Sequence, residues 1–209
     1  MNSGLLSTYD YPKAIKWATS EGVVSDWLCV SRSVRAIANF LVPKVKDIIL
    51  MPWSIEATAD ENSDELKNLK LALFAAATNN IILFCAISDK GEATADNLYP
   101  GCVPMVLRIG AATSTGEVPA IVLSRKVQFI FPGEVSGEKN SADGSSVATA
   151  LAAGVAAMLL HCSDKVMPEA VHHEYHKRAV IVQAFRKMGG TPTSAIRVQE
   201  YFGDEDETE

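Results

Sequence analysis

The stretch Gly144-Ser145-Ser146-Val147-Ala148-Thr149-Ala150-Leu151-Ala152-Ala153-Gly154 constrains this chain more than any other. A glycine and two serines lead straight into residues 147–160, which hold no charged residue and no polar one except Thr149. Such a segment offers water no preferred face, so it predicts a helix buried on all sides. Its first turn exposes unpaired N–H groups and the positive end of the helix dipole, where a serine sits beside stabilised negative charge. That is the setting an acyl-transfer nucleophile requires, and Ser146 is the candidate. The competing reading is that Ser145 or Ser146 is only an N-cap, a position serine fills readily. The nucleophile-elbow pattern G-x-S-x-G fails here, because Ala148 stands where its last glycine belongs.

The rest of the chain alternates strand and helix. Residues 47–51, Asp-Ile-Ile-Leu-Met, are a continuous apolar run bounded by Pro52, as expected of a strand covered on both faces in a parallel sheet. Residues 81–86, residues 103–109 continuing into Gly110-Ala111-Ala112, and residues 127–131 predict three more strands. After a polar linker at 58–64, residues 65–79 space Leu66, Leu69, Leu73 and Ala76 three and four apart, which predicts a helix. Residues 12–21 predict a shorter one, with Ala14, Ile15, Trp17 and Ala18 on one face. This order implies an α/β fold with a mostly parallel sheet flanked by helices, a class that places its ligands at the carboxyl ends of the strands.

A length of 209 residues suits one domain, and 48% hydrophobic residues supply a sizeable core. The net charge of −6, with no basic cluster, argues against nucleic acid or an anionic membrane as partner. Cys29, Cys85, Cys102 and Cys162 are scattered, without a CxxC pair, and read as reduced, buried thiols of a cytosolic type of protein. Residues 1–11 lack a basic segment followed by an apolar one, so no signal peptide is expected and the expected location is cytoplasmic. No uninterrupted apolar run reaches the roughly 20 residues of a membrane helix. Residues 204–209 carry five carboxylates in six positions and predict a solvated, disordered acidic tail.

The serine stretch resembles the motif G-T-S-M-A-[ST]-P-H-V-A-G of the subtilisin-like serine peptidases, the subtilases. Gly144, Ser146, Ala148, Thr149, Ala153 and Gly154 match it, while Ser145, Val147, Ala150, Leu151 and Ala152 depart from it. Three further segments follow the family's order. Residues 47–54 resemble the strand D-[VI]-[IV]-x-M-S-x-G, with Pro52 and Ser54 replacing serine and glycine. Residues 85–91 resemble A-A-A-G-N-x-G, and Tyr99, Pro100, Gly101, Pro104, Val106, Gly110 and Ala111 match Y-P-G-x-x-P-x-V-x-x-V-G-A without a gap. The resemblance covers most of residues 11–160, and the segments 184–190 and 196–202 are similar, less specifically, to the close of such domains.

The resemblance implies a partial subtilisin-like fold and a serine-type endopeptidase with Ser146 as nucleophile. It implies one wall of a substrate cleft at Met51, Pro52, Trp53 and Ser54, and the opposite wall at Ala86, Ile87 and Ser88. It places Asp89 where the family's side-chain oxyanion donor, an asparagine, belongs. An ionised aspartate accepts hydrogen bonds and would repel the developing charge, so Asp89 must be protonated to help. Aspartate nevertheless stands there in some branches of the family, and the competing reading is a loop aspartate in a turn before Gly91. The implied partner is a peptide or protein substrate. No cofactor is expected, although calcium is possible by family.

The order of the family's triad is Asp, His, Ser, yet no histidine precedes Ser146, and the motifs D-[ST]-G and H-G-T-H are absent. His161 lies fifteen residues along the same predicted helix, about 22 Å away and beyond any hydrogen bond. His172, His173 and His176 follow. His172 and His176 share a helical spacing but miss the HExxH pattern by one residue, so no metal site is expected. Two functions from different classes remain open: part of a serine endopeptidase whose histidine and aspartate lie in a longer chain or a second subunit, and a non-catalytic module that binds peptides through the cleft walls. Two structural expectations complete the reading. The Tyr99-Pro100 bond is expected to be cis, as often found at the matching bond of subtilases. Residues 22–44, apolar without a period, are expected to be an insertion foreign to the fold.

Overall fold

Four short apolar runs pair side by side into one parallel sheet, and that sheet sets the positions of everything near the serine. The computed structural model describes residues 47–56, 64–87, 98–123, 126–134, 144–168 and 178–198. The sheet is formed by β1 (Ile48–Met51), β3 (Ile82–Ala86), β5 (Val106–Ala112) and β6 (Phe129–Pro132), in the order β1-β3-β5-β6. Ile49 pairs with Leu83, Phe84 with Leu107, and Gly110 with Ile130. Every residue of β1 and β3 is buried, which is why these strands read as unbroken apolar runs rather than alternating ones. A second sheet pairs β2 (Ile55–Glu56) antiparallel with β4 (Leu98–Tyr99), and the following Tyr99-Pro100 peptide is cis, as expected.

Helix α1 (Asp64–Thr78) covers one face of the sheet. It seats Leu66, Leu69, Ala72, Leu73 and Ala76 against Ile49, Met51, Leu83, Cys85 and Val106. Its end is closed by Asn79, whose Nδ2 donates to Ala75 O at 2.8 Å, and by Asn80 at φ 61°, a left-handed stop that asparagine tolerates. A short helix, α2 (Ala120–Leu123), follows β5, and the long α3 (Ser145–Val166) and α4 (Arg178–Lys187) cover the opposite face. There Phe185 of α4 is fully buried, with its ring centroid 5.1 Å from that of Phe131, 5.2 Å from Phe129 and 6.2 Å from Phe84.

Three expectations are corrected. Helix α3 is not buried on all sides: Ala148, Thr149, Ala152, Ala153, Ala156 and Leu160 face the core, but Leu151 and Met158 remain 41% and 43% exposed. It lies across one face of a sheet, which covers one side of a helix only. At 22 residues, with an 18-residue stretch of mean hydropathy 1.6, it is also long and apolar enough to cross a membrane; here it packs against all four strands of the parallel sheet. Cys85 is buried as expected, whereas Cys102 is half-buried and Cys162 lies exposed on the outer side of α3. The expected helix at 12–21, the insertion at 22–44, His172, His173, His176 and the tail at 204–209 all fall outside the described residues.

Truncating Phe185 removes a ring that touches three others, and Phe185→Ala is expected to cost about 3–5 kcal/mol. Urea unfolding of the variant checks this as a lowered midpoint at unchanged slope.

Candidate active site

The serine turn is held by a glycine contact at the end of the sheet. Strand β6 ends at Pro132, and Gly133 N–H donates to Ala112 O of β5 at 2.9 Å. The Gly133 carbonyl then accepts from Gly144 N–H at 2.7 Å, which docks the start of α3 on the carboxyl ends of β5 and β6. A Cβ at Gly133 would sit 2.4 Å from Ala111 Cβ and 2.9 Å from Gly144 O, so no larger residue allows the approach. Gly144 has φ 95° and ψ −166°, a region only glycine enters without strain.

Gly144 is the N-cap of α3, and the helix has no side-chain cap. The reading of Ser145 or Ser146 as N-cap is therefore overturned. Ser145 is fully buried, and Thr149 Oγ1 donates to its carbonyl at 2.5 Å. Ser146, the second residue of the helix, is exposed, and its Oγ donates to Pro52 O at 2.9 Å across 94 residues of sequence. The Gly144 carbonyl takes the N–H groups of both Val147 and Ala148 at 3.1 Å. The Ser146 N–H has no acceptor among the described residues, and it lies beside the hydroxyl at the positive end of the dipole.

The structure thus brings Ser146 to the segment that follows β1. Pro52, Trp53 and Ser54 are half-buried there, but the Met51 side chain is fully buried between the sheet and α1. On the neighbouring strand Ala86 and Ile87 are buried, and Ile87 N–H donates to Ile109 O at 3.2 Å. The side chains of Met51 and Ile87 belong to the core; the groups these segments can turn to a ligand are backbone ones. Ser88 and Asp89 lie outside the described residues. His161 is exposed on α3, fifteen residues beyond Ser146 and so about 22 Å along the axis.

Sequence reasoning missed a cavity of about 670 Å³ at the same end of the sheet. Its floor includes Pro132, Leu151, Val155 and Ile196, and hydroxyls of Thr113 and Thr193 stand among its lining. These residues come from the end of β6, from turns and from one side of α3, far apart in the sequence, and no single pattern joins them. Glu134 sits nearby at the end of β6; hydrogen bonds from the Ser114 side chain and its N–H, the latter at 2.7 Å, hold its carboxyl below the usual range. Among the described residues no three His, Cys, Asp or Glu side chains converge.

Two outcomes follow from this geometry. Gly133→Ala forces the serine turn off the sheet and is expected to cost about 1–3 kcal/mol in urea unfolding. The Cys85 thiol is pushed up to about 12 by burial, partly offset by Arg108 and raised further by Cys102. Below that pH it stays protonated, so at pH 8 iodoacetamide is expected to modify Cys162 first and Cys85 only after unfolding, as read by peptide mass mapping.

The subtilase family model matches residues 1–196. No curated protein sequence matches the chain. Among solved structures, the prenylagaramide maturation protease PagA is similar at TM-score 0.59 and 20% identity, over 98% of this chain and 64% of that one. A lanthipeptide protease is similar at TM-score 0.62 and 16% identity, over 90% of this chain and 60% of that one. Sphericase is similar at TM-score 0.59 and 14% identity, over 95% and 66%. At these identities the likeness is one of fold, and this chain spans less than two thirds of the length of each. The match of the family model over nearly the whole sequence, on a parallel sheet that presents an exposed serine at a helix start, establishes that the chain belongs to the subtilase family.

Proposed function

We propose that this chain is a serine-type endopeptidase domain in which Ser146 is the acyl nucleophile and the general base comes from polypeptide outside these 209 residues. The observation that carries the reading is the placement of Ser146, exposed at the second position of α3 and 2.9 Å from the carbonyl that ends the first strand. In this reading Ser146 Oγ attacks the scissile carbonyl of a peptide or protein substrate and gives its proton to a histidine, which returns it to the leaving amine. The Ser146 N–H faces the oxyanion, with a protonated Asp89 as a second donor. Residues 51–54 and 86–88 hold the substrate in extended form through their backbone groups.

The outside base is argued from the order of the triad, with distance bearing on His161 alone. No histidine precedes Ser146, and His161 is about 22 Å along the helix. A carbonyl oxygen such as that of Pro52 orients the hydroxyl but is far too weak a base to take its proton. That same hydrogen bond favours a second reading, a peptide-binding module without turnover. We also place the protein in a reducing compartment, a reading supported by the free thiols of Cys85, Cys102 and Cys162.

The test compares the chain with Ser146→Ala on fluorogenic peptides, alone and mixed with a separately produced segment bearing D-[ST]-G and H-G-T-H. Alone, the two are expected to be indistinguishable; with the added segment, Ser146-dependent turnover is expected to rise by about 10²-fold or more, the contribution of a positioned base. Ser146-dependent turnover by the chain alone would overturn the outside base. Peptide binding with no turnover in either mixture would establish the binding module instead.

A further inference from the structure

The cavity of about 670 Å³ beside α3 does not belong to the serine's side of that helix. Leu151 on its floor follows Ser146 by five residues, roughly 140° around the axis, so the two side chains leave α3 in different directions. Val155, one turn further on, continues the Leu151 side. The walls are two turns tied to the sheet. In one, Thr113 N–H donates to Glu117 O and Gly116 N–H to Thr113 O, both at 2.9 Å, while Ser114 N–H donates to Glu134 Oε2 at 2.7 Å. In the other, Ile196 N–H donates to Ile130 O of β6 at 2.8 Å, and Thr193 N–H to Thr191 Oγ1 at 3.2 Å. The volume falls within the roughly 300–1,000 Å³ of small-molecule sites, and walls bonded in this way hold their shape before a ligand arrives.

Pro132, Leu151, Val155, Ile196 and Val198 give the cavity an apolar floor. Leu151 stands exposed there, at a position where the chain departs from the subtilase serine motif, with leucine in place of histidine. Among the described residues that line the space, Arg197 alone is charged, and hydroxyl-bearing Thr113, Ser114, Thr115, Thr193 and Ser194 accompany it. An extended peptide needs main-chain partners along its length, and these walls have few to give. The N–H groups of Thr113, Ser114, Gly116, Thr193, Ile196 and Arg197 are already donated within the fold. A hydrocarbon chain with a single anionic head asks for no such pairing: the chain is removed from water by the floor, and the head makes charge-assisted hydrogen bonds to a guanidinium.

We propose that this cavity binds a small amphiphilic anion, a straight hydrocarbon chain whose body lies on Leu151, Val155 and Ile196 and whose carboxylate pairs with Arg197. The site is separate from Ser146 and stands whether or not the protein hydrolyses peptides.

The test is isothermal titration calorimetry of the full chain with straight-chain carboxylates from hexanoate to decanoate, each kept below its micelle concentration. One saturable site is expected, tightening about fourfold with each added methylene. Uncharged 1-octanol is expected to bind about tenfold more weakly than octanoate. Arg197→Gln is expected to bring octanoate down to the level of 1-octanol and to leave 1-octanol unchanged. Leu151→Glu, at an exposed position, is expected to remove the binding of both at an unchanged urea midpoint, and Leu151→Ser provides the comparison if Leu151→Glu fails to fold. Absence of saturable binding, an affinity indifferent to chain length, an octanoate preference that survives Arg197→Gln, or octanoate binding unchanged in the Leu151 variant would each overturn the site. So would an apolar peptide that binds the parent more tightly than octanoate and is lost in the Leu151 variant, which would make the cavity a peptide site instead.

Discussion

The Gly133 carbonyl and the Gly144 N–H meet at 2.7 Å, and the geometry of the serine rests on that contact. On one side of it lies a largely buried parallel sheet; on the other a helix begins with no side-chain cap to define where. The sheet supplies that definition instead. Gly133 is tied to β5 through Ala112, Gly144 is tied to Gly133, and two helical N–H groups then converge on the Gly144 carbonyl. The chain of bonds tolerates no Cβ at its centre, so rigidity at the serine is bought with two glycines rather than with bulk.

Much of this was legible in the sequence, and the reason differs from part to part. Strands buried on both faces write continuous apolar runs, so 47–51 and 81–86 could be read to within a residue of β1 and β3. Strand β5 begins at Val106, three residues later than the run suggested, because the turn through Gly101 and Pro104 is apolar as well and composition does not separate it from the strand. Ser146 stood out because a glycine-serine turn before an apolar helix is a local pattern. Its partner did not, since a bond to Pro52 spans 94 residues and is a property of the assembled sheet. The competing cap reading fails for a related reason: serine side chains are good caps in isolation, but here the backbone of Gly144 is already claimed by the sheet.

Helix α3 shows where composition stops informing. Its residues say how apolar the helix is and not how many of its sides are covered. Ala148, Ala152 and Ala156 are small because Phe84, Phe129 and Phe131 come against that side of the helix, and this part of the pattern was readable. Leu151 and Met158 carry the same apolar signal yet remain two-fifths exposed, and Cys162 shares their side of the helix. Two arginines were less visible still. Arg108 lies within a strand and Arg178 some seventy residues later, and only the fold sets both on one turn.

The hydrogen bond from Ser146 to Pro52 also imposes an order of events. A hydroxyl that donates to an amide carbonyl has its single proton already committed, and on the proposed reading a base can take it only after the O–H swings about the Cβ–Oγ bond away from Pro52. Release therefore precedes activation. On that reading a serine in a resting orientation is set by the segment after β1 that would also seat the substrate, so occupancy of that segment and the readiness of the nucleophile are linked through one rotatable bond.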